Sequence, residues 1–215
     1  MFLSVPADSI DVAPPWDRPP DAWLERLDGI PAALVGDVLN RMTVMDGGVR
    51  LLTDRATLIG FALPVDTREG DNLAVHRALD EARPGDVLVV NGRGDTTRAL
   101  IGDLIGEIMV GAGVRGAVID GAVRDVTALG ELGLTVYARA TTPAGPYKTG
   151  PGTVGATVAA GGIVVGPGDI IIGDADGVVV VPVSKVQHVS DEWQAALGRE
   201  NQLRSRIRQR PGGSS

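Results

Sequence analysis

The chain has 215 residues, 44% of them apolar and 22% charged, with a net charge of −7 and no cysteine. That composition fits a single globular domain with a sizeable core of Val, Ile, Leu and Ala and excludes disulfide frameworks, thiolate nucleophiles and cysteine metal sites. The acidic balance argues against general nucleic-acid binding, which calls for a basic surface.

Residues 1–20 read as an extended, proline-rich arm, because Pro14-Pro15 and Pro19-Pro20 oppose helix. The arm lacks the basic start and apolar run of a secretory signal. No run of about 18 apolar residues follows that could cross a bilayer. Both features point to a cytoplasmic protein without a membrane partner. From Pro31 to Met42, Leu34, Val35, Val38 and Leu39 repeat with helical spacing. Ala56 to Val65 reads as a strand and Asn72 to Ala82 as a helix, closed by Pro84-Gly85-Asp86 before the buried strand Val87–Val90. A Gly-rich loop, Asn91 to Asp95, leads into a helix from about Thr97 to Val110. Strand Gly116 to Ile119, a Gly turn, helix Val126–Leu132 and strand Thr135–Tyr137 come next.

Pro143 to Gly155 reads as loop, and Val154–Val165 as strands parted by Gly161-Gly162. A second Pro-Gly-Asp turn at Pro167 introduces Ile170–Ile172. Asp174-Ala-Asp-Gly177 then turns the chain back into Val178–Val181, a hairpin signature. Helix Ser184–Arg208 closes the domain. The expected division is an arm over 1–25, a domain over 26–210 and a tail over 211–215.

One stretch concentrates chemical groups. Asp103 is followed, after twenty residues, by the adjacent pair Arg124-Asp125. Loops at strand ends and helix N-termini expose backbone donors and reactive side chains in α/β folds. Two carboxylates and a guanidinium converging there can hold a divalent cation and an oxyanion together. Taken alone, Arg124-Asp125 also reads as an ion pair capping the next helix, and Asp103 with Glu107 as a solvated helix face.

Other motifs fall away. Gly111-Gly113-Gly116 and Gly150-Gly152-Gly155 match a dinucleotide fingerprint but lack its strand-before, helix-after setting. Asp174-Ala-Asp-Gly177 lacks the third ligand and closing Glu of a calcium loop. His76 and His188 fall on predicted helices and read as surface or packing residues.

Gly116-Ala-Val-Ile-Asp-Gly-Ala-Val-Arg-Asp125, Arg83-Pro-Gly-Asp-Val-Leu-Val-Val90, Pro167-Gly-Asp-Ile170 and Asp174-Ala-Asp-Gly-Val-Val-Val-Val-Pro182 together resemble a known family. It joins the class II 4-hydroxy-4-methyl-2-oxoglutarate aldolases to the regulator of ribonuclease E activity A, and the resemblance covers approximately residues 30–185. It implies an α/β single-domain β/β/α sandwich, of the swivelling phosphohistidine-domain kind, assembling as a homotrimer or homohexamer with intersubunit sites. It further implies Mg²⁺ or Mn²⁺ on Asp125, with Asp103 holding metal-bound water. Arg124 would contact the keto oxygen of a pyruvyl group, and amides around Gly102, Leu104 and Ile105 the substrate carboxylate. The small-molecule partner is then a 2-oxo acid cleaved to pyruvate, with oxaloacetate decarboxylation passing through the same enolate. A non-catalytic protein that regulates a ribonuclease is the alternative, since members with that role share fold and motif.

A further acid in such aldolases comes from a neighbouring subunit. On the C-terminal helix Val186, Val189, Trp193, Leu197 and Ile207 define an apolar stripe with Glu200 in its middle and Arg204 one turn beyond. Glu200 is either that interfacial acid or the partner of Arg204 in a helix pair.

Overall fold

The structure, a computed structural model, describes residues 8–54 and 57–208. It opens with β1 (Ile10–Val12), α1 (Ala22–Leu27), α2 (Ala32–Val38) and β2 (Arg50–Leu51). The middle of the chain forms β3 (Leu58–Thr67), α3 (Leu73–Glu81), β4 (Asp86–Asn91), β5 (Ala99–Ile101), α4 (Asp103–Gly111), β6 (Gly116–Val123), α5 (Val126–Glu131) and β7 (Thr135–Thr141). Then come β8 (Gly152–Val154), β9 (Val158–Ala160), β10 (Ile163–Val165), β11 (Ile170–Asp174) and β12 (Gly177–Val181). A short 3-10 turn, Val183–Lys185, leads into α6 (Val186–Arg208). Among the described residues no helix is long and apolar enough to cross a membrane. Of the expected arm, residues 8–25 are described and α1 runs across its boundary; residues 211–215, and Ala56 at the start of the expected third-strand segment, lie outside the described residues.

The frame is a parallel run β3-β4-β6-β7 inside a ten-stranded mixed sheet. Parallel strands need crossovers, and α3, α4 and α5 supply them on one face of the sheet. That face buries Leu63, Leu88, Ile119 and Val136 against Leu73, Ile105, Met109 and Leu129. Strands covered on both faces lose polar alternation, which is why β4 reads as an unbroken apolar run. The opposite face packs Val87, Val89, Val118 and Tyr137 against Val158, Val165 and Val180 from β9, β10 and β12. A third cluster joins Ile170, Ile172 and Val179 to α1, α2 and the first half of α6.

β3 shares one edge between two antiparallel partners: β11 along residues 58–61 and β8 along residues 65–67. Pro64 falls in the gap between them, where the missing N–H costs no ladder bond, so a proline is tolerated in a fully buried strand. The far edges of the sheet are short, three residues in β1 and two in β2.

Three expectations need correction. The helix expected from Thr97 begins only at Asp103, because Ala99–Ile101 pairs in parallel with the end of β6 as a strand. No turn occurs at Gly121; β6 continues through it to Val123, with a register shift against β7 between Ile119 and Ala122. The loop expected over 143–155 contains β8, held between β1 and β3. The two Gly161-Gly162 strands, the 170–181 hairpin and the long C-terminal helix form as expected.

Candidate active site

Parallel pairing sets Ile101 of β5 against Val123 of β6, so the two strands end side by side. The residues just past the two strand ends are therefore brought together: Gly102 and Asp103 at the start of α4, and Arg124 and Asp125 at the start of α5. The Arg124 amide donates to the Ile101 carbonyl at 3.0 Å and locks this junction. A site at the carboxyl ends of parallel strands is the usual location in open α/β sheets.

Gly102 is the N-cap of α4, and no side chain caps the helix there. The amides of the first turn have no helical acceptor of their own. The Asp103 amide points to Asp125 Oδ2 at 3.4 Å, and the Leu104 amide donates to Asp103 Oδ1 at 2.8 Å. Asp125 Oδ2 also lies 3.1 Å from Arg124 Nε. Gly102 fits this meeting point because it has no side chain. A Cβ there would stand 2.6 Å from Asp125 Oδ2 and 2.9 Å from both Cγ and Nε of Arg124.

Asp125 holds a left-handed backbone, φ 53° and ψ 38°, uncommon outside glycine and tolerated best by asparagine and aspartate. It is the N-cap of α5, yet its carboxylate does not cap that helix. It turns to α4 instead, so the capping reading of the Arg124-Asp125 pair does not describe it. Left-handed residues outside glycine cluster at functional sites, where surrounding structure fixes them. Arg124 and Asp125 remain over one-third exposed, 37% and 40%, and are thus open to a ligand.

Gly102, Asp103, Leu104, Ile105 and Arg124 line one small cleft of about 80 Å³ with Asn72, His76, Pro146 and Lys148. By volume that is room for about two or three waters. Asp125 is tied to the cleft through Asp103 and Arg124. A larger groove of about 590 Å³ lies at the amino-terminal ends of the strands, between Ile30, Leu58, Val114 and Leu134, and holds none of these residues.

The loop over 145–150 closes one side of the cleft and is pinned by Asp71. This fully buried carboxylate accepts from the amides of Leu73, Thr149 and Gly150 at 2.8–3.0 Å and pairs with Arg68 at 2.9 Å. Burial pushes its carboxyl up, but the hydrogen bonds outweigh that and hold it below the usual aspartate value.

Glu200 is not brought to this cleft within one chain. It sits on α6, which packs against α2 and α1, and pairs with Arg204 at 2.5 Å. Beyond it Leu203 and Ile207 are 57% and 60% exposed, so the apolar stripe runs past the body that buries its first half.

The sequence reading missed Asn72, His76 and Lys148. Asn72 and His76 are one helical turn apart at the start of α3, a spacing visible in the sequence but carrying no signal until the helix is placed against α4. Asn72 is 3% exposed and donates through Nδ2 to the Leu100 carbonyl at 2.9 Å, while its Oδ1 has no partner. Both ring nitrogens of His76 are likewise buried without a partner. Leaving such groups unpaired costs about 1–3 kcal/mol each. Burial, with the Lys148 cation adding to it, pushes the imidazole down to about 4.

The side chains that meet Asp125 among the described residues offer a metal only carboxylate oxygens, those of Asp125 and Asp103. Among the described residues no three His, Cys, Asp or Glu side chains gather into a metal cage. One or two carboxylates with water in the remaining positions suit a hard cation such as Mg²⁺.

A family model described as RraA-like, Aldolase/RraA, matches residues 32–180. A Halalkalibacterium halodurans protein, provisionally named a 4-hydroxy-4-methyl-2-oxoglutarate aldolase, is 39% identical over 160 residues, covering 74% of this chain and 76% of its own. Among solved structures, Streptomyces coelicolor RraAS2, described as an unusual member of the RNase ES inhibitor RraA family, is 30% identical with a TM-score of 0.79. The match covers 88% of this chain and 100% of that one. RraA from Thermus thermophilis, described as an RNA-processing inhibitor, is 29% identical with a TM-score of 0.65, over 71% of this chain and 92% of that one.

Proposed function

The chain belongs to the RraA-like family of aldolases and RraA proteins, and on that premise we propose that it is a divalent-metal-dependent lyase. Its substrate is a 4-hydroxy-2-oxo acid such as 4-hydroxy-4-methyl-2-oxoglutarate, cleaved to pyruvate. The observation that carries this reading is the junction where β5 and β6 end together, joining an uncapped helix start to Asp103, Arg124 and Asp125.

Each group has work that its chemistry suits. The amides at the start of α4, around Gly102, Leu104 and Ile105, take the substrate carboxylate, that of Leu104 by exchanging its bond to Asp103 Oδ1, because helix N-termini favour anions. Arg124 is always charged and offers several donors in one plane, so it faces the keto oxygen and stabilises the enolate as C3–C4 breaks. Asp125 would hold the cation directly and Asp103 through water. When bound, Mg²⁺ or Mn²⁺ supplies Lewis-acid polarisation of the keto group. The proton leaving the C4 hydroxyl passes to water held by Asp103, or to Glu200 contributed by a second copy of the chain; the C4 fragment departs with a new carbonyl, and a proton returned from the same group to C3 of the enolate completes pyruvate. The last role fits a homotrimer or homohexamer of β/β/α sandwiches with sites between subunits. A cleft of about 80 Å³ in one chain is also too small for a six-carbon diacid unless it widens or a second copy completes it. Oxaloacetate presents the same carboxylate and keto oxygen, so its decarboxylation is expected as a side activity.

The likeness to two RraA structures supports a second reading, a non-catalytic regulator that binds a ribonuclease or another protein. One assay separates the two. Metal-stripped protein is tested for pyruvate release from 4-hydroxy-4-methyl-2-oxoglutarate and oxaloacetate, with and without Mg²⁺ or Mn²⁺, beside Asp125→Ala. Metal-dependent release that the variant loses upholds the lyase; no release from the wild type favours the regulator.

A further inference from the structure

We propose that Asn72 and His76 recognise the C4 hydroxyl of the substrate, making them specificity-determining residues for 4-hydroxy-2-oxo acids over 2-oxo acids without that hydroxyl. The inference rests on the aldolase reading above and adds a part of the site that the family motif does not contain.

Asn72 and His76 stand on one face of the first turns of α3, in the wall of the cleft shared with Gly102, Asp103 and Arg124. The Asn72 amide group has a fixed orientation, because Nδ2 is committed to the Leu100 carbonyl. Its Oδ1 is therefore a lone acceptor. A neutral imidazole adds one donor and one acceptor, and neither His76 nitrogen has a partner. The wall thus contains both acceptors and a donor, with nothing among the described residues to satisfy them.

This pattern selects a hydroxyl. A hydroxyl gives one hydrogen and accepts others, so on binding it can donate to Asn72 Oδ1 and accept from the imidazole N–H, its hydrogen turning to the proton acceptor only as C3–C4 breaks. A carboxylate only accepts, and would leave Oδ1 unpaired against a second negative oxygen. The carboxylate and keto ends already have cationic and amide partners across the cleft, in Arg124 and the start of α4. The ring also stays neutral at physiological pH: burial pushes it down to about 4, Lys148 acts in the same direction, and Asp80 opposes them. A neutral ring suits an uncharged hydroxyl and leaves the anionic ends to Arg124. The unpaired atoms are buried, on residues that line the cleft. A substrate must widen so small a cleft, and the wall that yields gains partners it lacks when closed.

The experiment compares substrates that differ at C4. In Mg²⁺-loaded protein, kcat/KM is measured for 4-hydroxy-4-methyl-2-oxoglutarate and for oxaloacetate, which has no C4 hydroxyl, in wild type, His76→Leu and His76→Gln. His76→Leu should lose about 10- to 100-fold on the hydroxy acid and stay within about twofold on oxaloacetate. His76→Gln, which keeps a donor and an acceptor, should recover part of the loss. The Tm of unliganded His76→Leu should not fall, because the change removes unpaired polar atoms. Equal losses on both substrates, no change on either, or a lowered Tm would each overturn the assignment.

A second measurement does not depend on turnover. The chain has only two histidines, so imidazole ¹⁵N signals are assignable with His188→Gln as reference. Metal-stripped protein is titrated with 4-hydroxy-2-oxoglutarate and with 2-oxoglutarate. A shift of the His76 signals with the hydroxylated acid alone upholds the proposal; equal shifts, or none, sink it. If the wild type releases pyruvate from neither substrate, the aldolase reading fails and the ring signals alone decide whether this wall recognises a hydroxyl.

Discussion

Two sets of the same side chains, one arginine with two aspartates, stand near the carboxyl end of β6, one at Asp120 within the strand and one just past its end, and they behave differently. At Asp120, Arg139 bonds through Nε to Asp120 and through its terminal nitrogens to both oxygens of Asp46, at 3.1 and 2.7 Å. Asp120 Oδ2 takes the Gly161 amide at 2.7 Å, and the Gly48 amide binds Asp46 Oδ1. Every charged group is engaged within the chain. Four residues on, past the end of the strand, Arg124 reaches only its neighbour Asp125 among the side chains of the described residues, beside a helix start without a side-chain cap and a left-handed backbone. The residue types are shared; the difference is how many of their bonds the fold leaves unused. Closed, the set ties the loop around Asp46 and the β9–β10 turn to the sheet; open, it can bind.

The comparison breaks if the two arginines respond alike. Arg124→Ala should lower kcat about 10²- to 10³-fold, the loss of about 3–4 kcal/mol of oxyanion stabilisation, while Mn²⁺ affinity by calorimetry changes far less. Its unfolding free energy should stay within about 0.5 kcal/mol of wild type, as for surface sites. Arg139→Met should do the reverse and cost about 2–3 kcal/mol in urea unfolding, because Asp120 is left buried beside an apolar side chain. Comparable activity in wild type and Arg124→Ala would remove the distinction.

Gly102→Ala sharpens it on a smaller scale. The backbone there is extended, with φ −156°, so alanine meets no backbone strain, but its Cβ would push Asp125 and Arg124 apart. A fall in kcat of about tenfold or more with little change in Tm is expected, since small misplacements of reacting groups are costly.

The smallest effects concern pH. Hydrogen bonds from Arg139 hold the Asp46 carboxyl below its ordinary 3.8. A depressed folded value means stability that is complete above 3.8 and lost as pH falls through the lower folded value. His76 acts in a different window: its folded value near 4 lies below the ordinary 6.5, so the unfolded chain takes a proton first. Stability should therefore decline as pH is lowered from 6.5 towards 4. Tm against pH in Arg139→Met and His76→Leu should flatten the first and second windows respectively, each variant leaving the other window intact.

Much of the frame was readable because its signals are local. Val87–Val90 and Val178–Val181 are apolar runs bounded by Pro-Gly-Asp and Asp-Gly turns, and both form strands where expected. Asn72 to Ala82 carries its own helical period, and the structure places the helix between those two residues. Elements fixed by remote partners were not readable. Ala99–Ile101 suits a helix by propensity, and only its pairing with the end of β6 makes it a strand. β8 lies in a Pro- and Gly-rich stretch, and its partners are some 85 and 140 residues away. The site divides in the same way. The Asp103 to Arg124-Asp125 spacing was visible, and the structure joins those residues. The polar wall of Asn72 and His76 appears only once α3 is set against α4.

The short outer strands bear on how this protein behaves at high concentration. A sheet this rich in Val and Ile would be prone to strand-to-strand self-association if it ended in a long bare edge. Here the main strand path closes at one end with the two residues of β2 and at the other with the three of β1, laid by the proline-rich arm along β8, while the outer side of β12 bonds to the loop at Thr43 and Met45. The arm is therefore a guard for colloidal solubility. Removing residues 1–20 should leave the cleft chemistry in place while exposing β8, and light scattering on concentrated samples should register the loss as aggregation.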